Sequence, residues 1–323
     1  MTAFPTKEKL TICFAHVAYQ MHAQFARRNT GIGGFQVWNR EDLDRRIGEA
    51  DALVISGLWR NDLIEHAKKL RFIQSIGAGT DQFSRELLSA RGIRLASARG
   101  VNARAVSDHA MALILALARR LAEARDNQAK KVWRQMIGDL TQREDELGGK
   151  TLIVVGIGAI GDRLAKLGKA FDMRVIGIRR DPGKGRGHAD SAHGMGELNA
   201  LLPQADFVAL TCPLTKETEN LINADALGRM KPSAFLVNCA RGRCVDEGAL
   251  VQALRNRAIA GAALDVTVEE PLPQNSPLWT AENVFVTPHT AGETRRYEDN
   301  VLDILEENLA RLWRGDELRN QIL

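Results

Sequence analysis

The chain carries four cysteines, Cys13, Cys212, Cys239 and Cys244, and no two of them form a CxxC pair. None stands at a zinc-ligand spacing from a histidine, so neither a metal-ligand cluster nor a disulfide framework is expected. They read as reduced thiols of a cytoplasmic protein. No apolar run approaches the length of a transmembrane helix, and the first residues hold no apolar segment of the secretory kind, which predicts no membrane partner. There is no long Lys/Arg run, and the net charge is only +4 over 323 residues. A nucleic-acid partner is therefore not expected. Internal repeats and low-complexity tracts are absent as well. With 45% apolar and 26% charged residues, what is left is an ordinary globular protein, long enough for two domains.

Short apolar runs separated by amphipathic stretches fill the first hundred residues: Leu10–Ala15, Ala52–Ser56, Phe72–Ile76 and Ile93–Ala96. Runs of this length between helix-like segments read as buried parallel strands. The text changes at Ala103 to an Ala/Leu-rich stretch that predicts a long helix with a broad apolar face. A second series follows Lys150, with runs at Thr151–Val155, Arg174–Ile178, Phe207–Leu210, Ala234–Asn238, Gly261–Asp265 and Val284–Thr287. Six such runs predict a doubly wound parallel sheet. A last helix is expected over Glu293 to Arg314, and the glycine-rich stretch Arg179 to His188 is expected to be a loop.

The segment Gly156-Ile157-Gly158-Ala159-Ile160-Gly161 directly follows the first of those second-series runs and opens a helical stretch. That is the context of a dinucleotide fingerprint. Gly156 permits the tight turn, Gly158 lets the backbone approach a pyrophosphate, and Gly161 lets helix and strand pack closely. The N–H groups of the helix start, at Ala159 and Ile160, then face the phosphates. About 20 residues on, where an NAD site wants a carboxylate for the ribose, stand Arg179 and Arg180, followed by Asp181. Two guanidinium groups suit the 2′-phosphate of NADP. A small backbone shift would return Asp181 to the ribose, so NAD stays open beside NADP.

Three chemically loaded residues lie at later strand ends: Arg241, Glu270 and His289. Open α/β sheets place ligands there. Together with the motifs around them, Met230 to Asp246, Leu264 to Pro271 and Pro288-His289, they make the chain from about Leu53 to Arg314 resemble the D-2-hydroxyacid dehydrogenases, the family of the glyoxylate/hydroxypyruvate reductases. The resemblance implies an α/β fold of two doubly wound domains. A flavodoxin-like substrate domain would comprise residues 1–102 and 290–323, and a Rossmann-type cofactor domain residues 103–289. It implies a homodimer held by the cofactor domains, and hydride transfer between NAD(P)H and a 2-keto acid, with Arg241, Glu270 and His289 as catalytic trio. The chemistry fits: His289 would protonate the oxygen left negative by hydride transfer, and a carboxylate at Glu270 would favour the imidazolium. Arg241 would grip the substrate carboxylate.

By the same resemblance Thr211, Cys212 and Pro213 line the adenosine side, with Cys239 and Ala240 near the cofactor. Asp265 contacts the nicotinamide carboxamide or its ribose. Cys239 and Cys244 also read as small packing residues. The loop Ser75 to Asp81, including Ala78 and Gly79, resembles the family's anion-binding loop, for which successive N–H groups give a mechanism. Leu58 and Trp59 would face the distal end of the substrate. Apolar groups there, beside the single Arg60, predict an unphosphorylated 2-keto acid, because a phosphate dianion would be left poorly compensated. His109 is expected to be a packed, hydrogen-bonded helical histidine, and His188 and His193 loop residues without a role. The rival reading is a nucleotide-sensing corepressor or scaffold on the same fold, which fold alone does not exclude.

Overall fold

The computed structural model describes residues 4–281 and 283–323. They divide into two compact units, one within residues 4–102 and 294–323, the other within residues 103–281 and 283–293. The second crossing thus falls at Glu293/Thr294, against the expected 289/290.

In the first unit five strands, β1 (Thr11–Ala15), β2 (Gly33–Val37), β3 (Ala52–Ile55), β4 (Phe72–Ser75) and β5 (Arg94–Ala96), form one sheet in the order β2-β1-β3-β4-β5. Every pairing is parallel, which is the flavodoxin-like order. β3 and β4 are buried at each position, which is why they read as unbroken apolar runs. β2 is a strand the apolar pattern does not announce. It opens Gly33-Gly34, and a Cβ on Gly34 would stand 2.9 Å from the Ile12 carbonyl oxygen of β1, so glycine is what lets this edge pair. Helices α1 (Met21–Arg27), α2 (Arg40–Arg46) and α3 (Arg85–Ala90) follow the early strands. The C-terminal helix, Tyr297–Arg314, buries Val301, Leu302, Leu305 and Leu309 against β1 and its neighbours. It starts at Tyr297, not at the expected Glu293, because the preceding residues are turn.

The second unit opens with α4 (Ala103–Ala118), whose Val106, Ala110, Met111, Leu113 and Ile114 are buried, and α5 (Leu121–Ala129), which buries nothing. Its strands are β6 (Thr151–Val155), β7 (Arg174–Ile178), β8 (Ser191–His193), β9 (Phe207–Leu210), β10 (Phe235–Asn238), β11 (Gly261–Leu264) and β12 (Val284–Val286). They lie in the order β12-β11-β10-β9-β6-β7-β8, all parallel, so the chain reverses direction across the sheet between β6 and β9. This is the doubly wound Rossmann arrangement. Among the described residues seven strands stand where six were expected. β8 is three residues long and only half-buried, too short and polar for a periodicity signal, and it turns His193 from a loop residue into a strand residue paired with Glu197. Helices α6 (Ala159–Ala170), α7 (Leu198–Leu201), α8 (Ala224–Arg229) and α9 (Glu247–Arg255) complete the unit.

Candidate active site

The fingerprint is built where the sheet reverses. Gly156 directly follows β6 with φ +102°, and a Cβ there would stand 2.7 Å from the backbone N and Cα of Cys212, two residues past β9. Glycine is thus required twice over, by conformation and by closeness. Gly161 is as tight, since its Cβ would fall 2.2 Å from the Gly156 carbonyl oxygen. Gly158 is different: it caps α6 without a side chain, and a Cβ on it would meet nothing within 4 Å. The space is an open cradle in front of the unpaired N–H groups of the first helical turn, at Ala159 and Ile160.

A cleft of about 360 Å³ extends from this cradle. Thr211, Cys212 and Pro213 line it together with Arg179, Arg180 and Asp181. Thr211 is pinned by its hydroxyl to the Val155 and Gly156 carbonyls. Arg179 donates to the carbonyls of Lys184 and Gly185, which fixes the loop after β7. One oxygen of the exposed Asp181 carboxylate accepts from Gly183 N–H at 3.0 Å. Lys184, Met195, Thr215 and Thr218 also line the cleft and escaped the sequence reading. The thiol of Cys212 is held far above its usual range, by its hydrogen bond with Cys244 and by burial. Burial also raises Cys239, which packs in the core beneath the sheet while Ala240 is buried beside it. Neither is among the residues that line the cleft.

The trio occupies the ends of β10, β11 and β12. Asn238, the last residue of β10, accepts from Ala240 N–H and donates to the Arg241 carbonyl, so one side chain shapes the turn that exposes Arg241. Gly242 comes so close to the chain after β11 that a Cβ would lie 2.0 Å from the Thr267 carbonyl. No periodicity or motif spacing signals that contact. Thr267 N–H donates to Glu270 Oε1 at 3.1 Å, and Glu270 Oε2 lies 2.7 Å from His289 Nδ1. Both side chains are partly exposed. With Nδ1 facing a carboxylate, Nε2 is the nitrogen left to exchange a proton with a substrate. His289 itself is left-handed, with φ +54°.

Asp265 is held within the protein. It is 2% exposed, and its carboxylate accepts from the Thr287 hydroxyl at 2.6 Å and from the N–H groups of Thr290 and Ala291. Three of these contacts fall on Oδ1 and one on Oδ2. Leu58 and Trp59, expected at the distal end of the substrate, are turned into the protein. Both are buried in the core of the first unit, the indole packing on Phe83 at 5.3 Å and donating to Asn61. A ring of this size buries a large apolar area, and Asn61 supplies the partner that its N–H needs. Arg60 is paired with Asp44 and Asp62. In the glycine loop Ala78 is exposed and Gly79 half-buried, and their N–H groups have no hydrogen-bond partner among the described residues. They remain able to hold an anion.

The family model "D-isomer specific 2-hydroxyacid dehydrogenase, NAD binding domain" matches residues 111–291. A glyoxylate reductase of Aeropyrum pernix is 38% identical over 292 residues, covering 87% of each chain. A D-3-phosphoglycerate dehydrogenase of Methanocaldococcus jannaschii is 36% identical over 288 residues, 88% of this chain and 53% of that one. The chain thus spans about half the length of that relative. Among solved structures, a D-isomer specific 2-hydroxyacid dehydrogenase family protein of Aeromonas salmonicida superposes with a TM-score of 0.84 at 32% identity, covering 98% of this chain and 99% of that one. The chain belongs to the D-isomer specific 2-hydroxyacid dehydrogenase family, and its second unit is a nicotinamide-dinucleotide-binding domain. Among the described residues no helix is long and apolar enough to cross a membrane.

Proposed function

We propose that the protein reduces a small, unphosphorylated 2-keto acid to the 2-hydroxy acid with NADPH in preference to NADH. The observation that carries the reaction is the Glu270–His289 pair at 2.7 Å, on the strand ends of a dinucleotide-binding sheet. The dinucleotide, when bound, supplies the hydride. His289 Nε2–H donates the proton that the new alkoxide requires, and the neutral imidazole takes it back in oxidation. Glu270 fixes the ring and balances its positive charge. Arg241, exposed at the end of β10, offers a planar fork to the substrate carboxylate. A corepressor or scaffold would have no use for this trio, and the similar glyoxylate reductases favour catalysis.

Arg179, Arg180 and Lys184 on the cleft wall support NADPH, because they put positive charge where a 2′-phosphate would lie. Asp181 and Glu217 stand on the same wall, and one oxygen of the Asp181 carboxylate is already taken up by Gly183 N–H. The substrate reading is supported by Arg60, whose charge is already met by two carboxylates. The burial of Trp59 removes the argument for a stacked aromatic tail and favours a small acid such as glyoxylate or hydroxypyruvate.

The same reading gives a cytoplasmic homodimer. Four free cysteines suit a reducing compartment. Trp133 and Met136 stand 91% and 100% exposed on the irregular segment after α5, apolar surface that a second copy would cover. Sedimentation at micromolar concentration reads the dimer directly.

The decisive experiment measures kcat/KM for glyoxylate, hydroxypyruvate, phenylpyruvate, 2-ketoisocaproate and phosphohydroxypyruvate with each dinucleotide. Preference for a small unphosphorylated acid and for NADPH supports the reading. Arg180→Ala should raise KM for NADPH far more than for NADH. Phosphohydroxypyruvate winning, or NADH winning in the unaltered enzyme, overturns the corresponding half.

A further inference from the structure

His109 stands on α4, far in sequence from the trio, yet its Nε2 lies 3.0 Å from Thr287 Oγ1 and 3.5 Å from Asp265 Oδ1. The direction of each bond follows from counting protons. Asp265 accepts from the Thr287 hydroxyl at 2.6 Å, which uses the only proton that hydroxyl has. Thr287 Oγ1 must therefore accept from His109, and Nε2 must carry the hydrogen. The result is a one-way relay: His109 Nε2–H to Thr287 Oγ1–H to Asp265 Oδ1.

At its far end Asp265 receives the N–H groups of Thr290 and Ala291, and its own carbonyl accepts from His289 N–H at 2.8 Å. The loop Thr287–Ala291 is thus fastened to one buried carboxylate on both sides of His289. That residue has φ +54°, a conformation a side chain other than glycine keeps only when its surroundings over-determine it. The imidazole of His289 points at Glu270 from this strained backbone.

We propose that His109 is a positioning residue for the proposed reduction, acting through Thr287 and Asp265 to hold the backbone on which His289 stands. It touches none of the reacting atoms. It fixes the rotor of the Thr287 hydroxyl, which in turn fixes the Asp265 carboxylate, so that the oxygens that clamp the loop stay aimed at its N–H groups. Without a donor at that position the Thr287 hydroxyl is free to turn, and the clamp loses its alignment. The proposal rests on the reading of His289 as the proton donor, and its test separates the two.

The variants are His109→Phe, which keeps the bulk and removes the donor, and His109→Gln, whose amide N–H can replace Nε2–H. Two measurements are made on the full chain: amide exchange of Thr290 and Ala291, and kcat with KM for the 2-keto acid and dinucleotide that the unaltered enzyme uses best. His109→Phe should speed exchange of both amides and lower kcat by about tenfold or more, with the dinucleotide KM unchanged. His109→Gln should restore both. Should the His109 variants fail to fold, Thr287→Val must reproduce the losses and Thr287→Ser must restore them. Unchanged exchange in His109→Phe, or equal impairment of the Phe and Gln variants, overturns the proposal. An unaltered enzyme that reduces no 2-keto acid refutes the proposed reaction alone, because exchange reads the clamp without turnover.

Discussion

Gly242→Ala isolates the geometry of the site from its chemistry. A Cβ at this position would lie 2.0 Å from both the carbonyl carbon and oxygen of Thr267, and 2.4 Å from Val268 N. Non-bonded heavy atoms settle at roughly 3.5 Å, so the two backbones must part by on the order of 1 Å. One of them carries Arg241, and the other carries Glu270 through Thr267 N–H. The obstacle is backbone on both sides, so no rotamer change relieves it. Overpacking of this kind costs about 1–3 kcal/mol of stability. A displacement of ~1 Å between catalytic groups costs about 10²-fold in rate. The expected variant is folded, somewhat less stable, and about a hundredfold slower in kcat/KM. It should still bind dinucleotide as before, because the Gly156–Gly161 cradle is not involved. Steady-state kinetics, a fluorescence titration with NADPH and a thermal scan measure the three quantities. Gly228→Ala is the control, since nothing lies within 4 Å of its Cβ and it sits in a helix. A Gly242→Ala enzyme with the kcat/KM and melting temperature of the unaltered protein would refute the argument.

His289→Asn should bind dinucleotide and keep its melting temperature while losing about 10²–10⁴-fold in kcat, the share of a general acid. Glu270→Gln should lose about tenfold in kcat, the low end for a charge-assisted hydrogen bond because both partners are partly solvated, with KM for dinucleotide unmoved. Gly158→Ala fills the empty cradle without touching protein, so thermal stability should hold while KM for the dinucleotide rises; an unchanged KM would remove the pyrophosphate from that position. Burial pushes the Cys13 thiol up to about 12 and raises Cys239 as well, so little reactive thiolate exists at pH 8. Iodoacetamide at that pH should label neither in the folded protein and both after denaturation, as mass spectrometry of the digested chain would read.

What the sequence by itself determined is whatever a local pattern can carry. A strand buried on both faces must be a continuous apolar run, and β3, β4, β6 and β9 were legible for that reason. The fingerprint was legible because its glycines answer to a turn within six residues, and Arg241, Glu270 and His289 because each follows a recognisable strand. The tertiary structure decided everything that depends on which strand ends become neighbours. β2 and β8 form because an edge strand needs only a partner, and their glycines and polar residues hide them from periodicity. Trp59 turned inward because Phe83 and Asn61 were there to receive its ring and its N–H. Asp265 became a clamp because Thr287, Thr290 and Ala291 brought their donors to it. Gly242 and His109 joined the site only through space, one by the closeness of Thr267 and the other by a hydrogen bond spanning 178 residues. Hydrogen bonds and steric exclusion act over about 3 Å whatever the separation along the chain, so no reading of neighbours in sequence could have supplied them.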